Sequence, residues 1–193
     1  MKQIVFFGDS LTQGYGLRDP ETASFPALIQ KTINENGGGF NVINAGLSGN
    51  TTFSALNRLK PILEMQTDIF VLELGANDLI RGHSASDVEA NLQYIINQVK
   101  QHHPSAPILL LGIELPGWIP GAKAAGYRNI YNRLAAKNEI HLVPFLLEGV
   151  AGIPHLNMFD GIHPLAEGYE IIARNVWNTL KTILEATQNK PGN

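Results

Sequence analysis

Short apolar runs rich in β-branched and aromatic residues alternate along this chain with longer stretches in which apolar residues return every three or four positions. The short runs are Ile4-Val5-Phe6-Phe7, Val42-Ile43, Ile69 through Leu74, Ile108 through Leu111, and Ile140 through Val143. Most are apolar throughout, as expected of strands covered by helices on both faces. Between them, Ser86 to Lys100 sets Val88, Leu92, Ile95, Ile96 and Val99 on one stripe, and Ser86 and Glu89 have the spacing of a capping box. The last long segment places Leu165, Tyr169, Ile172, Ala173, Val176, Leu180 and Leu184 on one face. Less regular patterns predict helices over Phe25–Asn36, Thr52–Glu64 and Ala122–Lys137. Pro26 fits a first helical turn, where its missing N–H would have no partner.

Strands and helices in alternation, joined by short connections, imply a parallel sheet with right-handed crossovers. The predicted fold is α/β: a flavodoxin-like three-layer α/β/α sandwich around a five-stranded parallel sheet in the order 2-1-3-4-5. A chain of 193 residues suits one domain, expected over 1–187, with 188–193 a frayed tail. It contains no repeat, low-complexity tract or linker.

Composition narrows the possible partners. Hydrophobic residues make up 44% and charged residues 16%, the balance of an ordered globular chain. Fourteen basic and seventeen acidic side chains leave a charge of −3 with no basic block, so nucleic acid has no electrostatic footprint here. The absence of cysteine excludes disulfides, thiolate metal sites and a cysteine nucleophile. The first apolar run stops at Gly8, too short for a signal peptide, and no stretch approaches the ~20 apolar residues that span a bilayer. Stable membrane insertion is not expected, and the chain as written is expected to be cytoplasmic.

In such sheets ligands bind beyond the carboxyl ends of the strands. Gly8-Asp9-Ser10-Leu11 follows the first strand, and Asn44 through Thr52 the second. Gly75-Ala76-Asn77-Asp78 follows the third, and Asp160-Gly161-Ile162-His163-Pro164 precedes the last helix. Singly, each has a mundane explanation: a turn, a tight crossover, or a helix start capped by Asp160 with Pro164 in its first turn. Together they supply a hydroxyl, an imidazole with a carboxylate three residues upstream, two glycine loops and a neutral amide, all predicted at one sheet edge. These are the parts of acyl transfer. A serine hydroxyl needs an adjacent base, imidazole ionises near ~6.5 in water, and a carboxylate can fix its tautomer. Backbone N–H groups beside glycine and the Asn77 amide can stabilise an oxyanion; losing one such donor typically costs about 3 kcal/mol.

At these residues the chain resembles the SGNH hydrolase superfamily, also called GDSL esterases. Gly8-Asp9-Ser10-Leu11, Ser48-Gly49-Asn50-Thr51, Gly75-Ala76-Asn77-Asp78 and Asp160-Gly161-Ile162-His163-Pro164 match its four blocks in order, across nearly the whole chain. The resemblance implies Ser10 as nucleophile, His163 as base and Asp160 as its partner. It implies an oxyanion hole made of the Ser10 and Gly49 backbone N–H groups and the Asn77 side chain. Thr12 through Gly16, Leu72-Glu73-Leu74-Gly75 and Pro144 through Glu148 are similar to the small bacterial thioesterase/lysophospholipase/arylesterase branch. Asn50 stands where that branch often carries Asp, and Ala76 where some members carry Gly. Members of the branch are commonly exported.

The expected activity is hydrolysis of short-to-medium acyl esters or thioesters, with no cofactor or metal and a small-molecule substrate; oligomeric state is left open. Leu115, Trp118 and Ile119, in a Pro/Gly-rich segment after the fourth strand, are expected to line the substrate cleft with Leu79 and Ile80. Two alternatives stand beside this: an acetyl-ester or carbohydrate deacetylase on the same machinery, and a non-catalytic flavodoxin-like phosphate-binding module with Asp9 and Asp78 as an acidic site. Against the latter, the first loop lacks the third glycine of G-x-G-x-x-G. The G-x-S-x-G elbow of α/β-hydrolases is also absent. A metal site of Asp9, Asp78, Asp160 and His163 is conceivable, but nothing in the sequence requires one. His102, His103 and His155 read as surface histidines.

Overall fold

The computed structural model describes residues 1–113, 126–127 and 129–189. Five strands, Lys2–Gly8 (β1), Phe40–Gly46 (β2), Ile69–Glu73 (β3), Ile108–Leu111 (β4) and His141–Val143 (β5), form one sheet in the order 2-1-3-4-5. Every neighbouring pair is parallel.

The apolar character of the strands follows from burial on both faces. Along β1, Ile4 and Phe6 pack with Phe25, Ile29 and Ile33 of helix Phe25–Glu35 and with Tyr169, Ile172 and Val176 of helix Ala166–Gln188. Val5 and Phe7 point the other way, into a core with Val88, Leu92, Ile95 and Ile96 of helix Ala85–His102 and Ile130, Tyr131 and Leu134 of helix Ile130–Asn138. Each fully buried side chain of this size contributes about 1.5–3 kcal/mol, so both layers are strongly held to the sheet.

Gly8 pairs with Gly46, and Phe7 with both Ala45 and Leu72, so β1, β2 and β3 end almost level. The chain passes from β2 to β3 on the far side of β1. That reversal is the crevice where ligands bind in open α/β sheets.

Local details depart from the pattern-based expectations. Helix Ala85–His102 is capped by Ser84, not Ser86: Ser84 Oγ accepts the Asp87 N–H at 3.1 Å and donates to Asp87 Oδ2 at 2.6 Å. The helix expected over Thr52–Glu64 is broken into Thr52–Ala55, a 3₁₀ turn Leu56–Arg58, and Leu59–Leu63. At the break Arg58 has φ −113° and ψ 7°, and its side chain turns back toward the sheet edge. Leu165 precedes the final helix as its N-cap and is not part of the buried face. That helix runs through Gln188, one residue into the expected tail. Helix Ile130–Asn138 ends where Glu139 takes a left-handed φ of 52°; its expected beginning, Ala122 to Ala125, lies outside the described residues. Among the described residues, no helix is long and apolar enough to cross a membrane.

Candidate functional site

Asp9 ends β1 by capping a single helical turn, Ser10–Gln13, its Oδ1 accepting the Leu11 N–H at 3.0 Å. Ser10 thereby sits at the start of a helix, where backbone N–H groups have no partner within the helix. Its side chain is 153 residues from His163 in sequence, yet Ser10 Oγ lies 2.9 Å from His163 Nε2. His163 Nδ1 lies 2.6 Å from Asp160 Oδ2.

A closed loop holds Asp160 and His163. Asn157 and Pro164 form an antiparallel bridge, the Met158 N–H donates to the His163 carbonyl at 2.7 Å, and Gly161 N–H donates to the Met158 carbonyl at 2.9 Å. Asn157 Nδ2 anchors the loop by donating to the Val150 and Ile153 carbonyls at 2.7 and 2.9 Å. Asp160 does not cap the last helix. Its Oδ1 accepts the Ile162 and His163 N–H groups at 2.9 and 3.0 Å, turning the loop on itself. Partial burial pushes the Asp160 carboxyl upward, but these N–H donors and the His163 ring outweigh it and bring its pKa down to about 2. The carboxylate is therefore ionised wherever imidazole is neutral. The acceptor-only carboxylate assigns the proton to Nδ1, leaving Nε2 free to accept the Ser10 hydroxyl proton.

The glycine loop after β2 is held from three sides. The Leu47 N–H donates to the Gly8 carbonyl at 3.1 Å, the Ser48 N–H to Gln13 Oε1 at 2.6 Å, and Arg81 Nη2 to the Gly49 carbonyl at 3.0 Å. Gly49 has φ 79°, a left-handed conformation that other L residues rarely adopt. Among the described residues, neither the Ser10 nor the Gly49 backbone N–H has a hydrogen-bond acceptor.

Asn77 differs. It lies in the turn after β3, and its Nδ2 already donates to Asp9 Oδ2 and to the Asn50 carbonyl, both at 3.0 Å. The amide is positioned at the site, but both of its hydrogens have acceptors. Its turn is tightly determined: Gly75 has φ 126°, and a Cβ there would stand 2.3 Å from the Tyr131 hydroxyl, which donates to the Leu74 carbonyl. Asp78 is buried and accepts the Thr52 N–H and hydroxyl at 2.8 Å each, with His83 Nδ1 3.1 Å away. It ties the β2 and β3 loops together. Its engagement by internal donors speaks against the acidic phosphate-module site. Among the described residues, no group of three or more His, Asp or Glu is placed to hold a metal ion.

Sequence reasoning missed three participants. The Tyr15 ring stacks obliquely on the His163 ring, centroids 4.6 Å apart. Arg58 donates from Nη2 to the Gly8 carbonyl at 2.7 Å, from Nη1 to the Ala45 carbonyl at 2.8 Å, and from Nε to Asn50 Oδ1, while lying over the Phe7 ring. Burial lowers its pKa to about 10 against the opposing pull of Asp9. Glu73, the only charge in the run Ile69–Leu74, is buried behind Asp9; its lone charge in an apolar strand was a readable signal.

Of the expected cleft residues, Ile80 is 58% exposed on this edge, whereas Leu79 packs against the core that contains Leu72 and Val88. Leu115, Trp118 and Ile119 lie outside the described residues. Beside Asp160, a cavity of about 670 Å³ is lined by Ile153, Pro154, Met158, Phe159 and Leu165, with the Phe159 side chain fully exposed. His102 and His155 are exposed, but His103 is partly buried with Nε2 3.0 Å from the Leu63 carbonyl, a correction to its surface assignment.

The chain is similar to known proteins over nearly its whole length. The model of the GDSL-like lipase/acylhydrolase family matches residues 6–171. The esterase TesA of Pseudomonas aeruginosa is 35% identical over 182 residues, 94% of this chain and 89% of that protein. An arylesterase of Vibrio mimicus is 34% identical over 176 residues, covering 91% and 86%. The thioesterase 1/protease 1/lysophospholipase L1 of Escherichia coli is 34% identical over 171 residues, covering 88% and 79%. The crystal structure of TesA superposes with a TM-score of 0.87 at 34% identity, covering 94% of this chain and 99% of the other.

Proposed function

Since the chain belongs to the GDSL-like lipase/acylhydrolase family and is a carboxylic ester hydrolase, we propose that Ser10 is its nucleophile, His163 its general base and Asp160 the residue that orients the base. The observation that carries this is the continuous hydrogen-bonded line from Asp160 Oδ2 through the His163 ring to Ser10 Oγ, at 2.6 and 2.9 Å.

The chemistry follows from that line. His163 Nε2 takes the Ser10 proton as Oγ attacks the ester carbonyl carbon, and the carbonyl oxygen becomes an oxyanion. The imidazolium so formed is stabilised by ionised Asp160, then returns the proton to the departing alcohol or thiol as the acyl-enzyme forms. Water, activated by the same imidazole, releases the acid. Among the described residues the Ser10 and Gly49 N–H groups have no other acceptor, and so are assigned to the oxyanion; Asn77 is assigned as the third. Such donors act strongly because they are fixed before charge develops.

The substrate is proposed to be a short-to-medium acyl ester or thioester with an apolar acyl group. Exposed Ile80 and the apolar cavity beside Asp160 support an apolar group over a sugar. The names arylesterase, thioesterase and lysophospholipase among the relatives support the same class. Labelling with a fluorophosphonate, together with turnover of p-nitrophenyl esters of increasing acyl length, tests both parts. Ser10 is expected to be labelled, and Ser10→Ala to lose turnover while keeping its fold. Full activity in Ser10→Ala would overturn the assignment, and turnover confined to acetylated sugars would favour the deacetylase.

A further inference from the structure

Two carboxyl side chains lie buried immediately behind Ser10. Asp9 is 0% and Glu73 1% exposed. Glu73 Oε2 accepts the Asp9 N–H at 3.1 Å and the Thr12 hydroxyl at 2.9 Å, so it supports the residue on each side of the Ser10–Leu11 pair. Glu73 Oε1 is buried and has no hydrogen-bond partner among the described residues. Asp9 in turn accepts the Leu11 N–H on Oδ1 and the Asn77 amide on Oδ2. The order of support therefore runs from Glu73 to Asp9 to Asn77.

Two adjacent carboxylates cannot both remain charged in such a place without compensation. Burial raises both groups above the ordinary carboxylate range, and for Asp9 the neighbouring Glu73 charge raises it further. The groups facing the pair are Arg58 from the 3₁₀ turn, Tyr131 from helix Ile130–Asn138 and Tyr169 from helix Ala166–Gln188, with His163 across Ser10. Among the described residues Arg58 is the cation set against Asp9, and it stays charged at neutral pH because burial lowers its pKa only to about 10. Its polar side-chain partner is Asn50, a neutral amide, so one negative charge shared by Asp9 and Glu73 balances it and two would not.

Building on Ser10 as nucleophile, we infer that Asp9 and Glu73 together hold one proton during turnover, and that Glu73 is the positioning residue that keeps Asp9, and through it the Asn77 amide, aligned with Ser10. The shared proton has a catalytic consequence. Losing that proton would leave two anions opposite the single Arg58 cation and set the second one beside the forming oxyanion.

The test compares the full-length wild type with Glu73→Gln and Glu73→Ala. Difference infrared spectra of the wild type are expected to show a protonated-carboxyl carbonyl band at neutral pH that titrates away in alkali. The band should be missing from Glu73→Gln, where Asp9 alone ionises opposite Arg58. With p-nitrophenyl acetate, Glu73→Ala should lose about a hundredfold in kcat with KM little changed, as expected for a displaced catalytic group, and Glu73→Gln should recover most of that loss. Wild-type kcat/KM should decline on the alkaline side, and Glu73→Gln should keep a plateau there. A wild type without the band, or a Gln variant as impaired as Ala, overturns the inference. If Glu73→Ala does not fold, the wild-type titration and the Gln variant still decide. A wild type that takes no fluorophosphonate at Ser10 sinks the esterase assignment instead, and the infrared result separates the two failures.

Discussion

The Tyr15 ring covers one face of the His163 imidazole, with centroids 4.6 Å apart and planes tilted by 47°. Tyr15 is half exposed, so the contact shields the base from solvent on that side without sealing the site. When His163 takes the Ser10 proton, the ring becomes a cation lying against an aromatic face, an arrangement worth about 0.5–1 kcal/mol at exposed sites. Tyr15→Ala is expected to lower kcat by roughly two- to fivefold, and Tyr15→Phe to stay near wild type, because the ring and not the hydroxyl makes the contact. Steady-state kinetics on a p-nitrophenyl ester check this; equal losses in both variants would assign the effect to the hydroxyl.

Asp160→Asn removes the carboxylate that fixes the His163 tautomer, and kcat is expected to fall by about four orders of magnitude with the protein still folded. The pH dependence separates Asp160 from His163. Because the Asp160 pKa is lowered to about 2 in the folded state, its contribution to stability is fully present above the unfolded value. That contribution is lost only as the pH falls from about 4 toward 2. Activity lost on mild acidification therefore does not report on Asp160. Thermal unfolding measured from pH 6 to pH 2 should show an acid-side stability slope in the wild type that Asp160→Asn lacks.

Glu73 and Asp9 have the opposite sign. Their folded-state pKa values are raised, so the folded protein binds more protons than the unfolded chain above about pH 4, and stability falls as pH rises through that window. Glu73→Gln removes one of the two groups, and its Tm relative to wild type should climb steadily between pH 5 and pH 9. A constant Tm difference across that range would mean the buried carboxyls titrate alike in both states.

Gly49→Ala tests the backbone of the glycine loop. A Cβ there meets only Arg81 Nη2, at 3.7 Å, so crowding is not the obstacle; the φ of 79° is. The strain is of the order of 1 kcal/mol, and relieving it rotates the peptide whose N–H is assigned to the oxyanion. A fall in kcat of about ten- to a hundredfold with KM nearly constant is expected, since an oxyanion donor acts on the transition state. A change in KM alone would place Gly49 in ground-state binding.

Arg58→Met removes the guanidinium from over Phe7 and takes one donor each from the Gly8 and Ala45 carbonyls and Asn50 Oδ1, the Gly8 carbonyl keeping the Leu47 N–H. Each abandoned buried acceptor costs about 1–3 kcal/mol, moderated here by partial exposure, so an overall loss of roughly 2–4 kcal/mol is expected in urea unfolding. A loss under 1 kcal/mol would mean that water replaces the guanidinium at all three acceptors.

The sheet, its strand order and the gathering of Ser10, Gly49, Asn77, Asp160 and His163 at one edge were legible because strand burial and crossover rules act through local pattern. Parallel strands place every following loop on the same side, so the four polar clusters had to meet. What folding alone decided lies in contacts that leave no periodic trace. The capping pattern pointed to Ser86, and the path of the incoming loop put Ser84 at the cap instead. Arg58 sits in a segment patterned like a continuous helix, and only the break there brings its guanidinium to carbonyls 13 and 50 residues away. The commitment of Asn77 to Asp9 and Asn50, and the pairing of Asp9 with Glu73, join positions 27 to 68 residues apart. Local sequence specifies which groups arrive at the edge; packing around a buried, charged interior specifies how they share protons and hydrogen bonds once there.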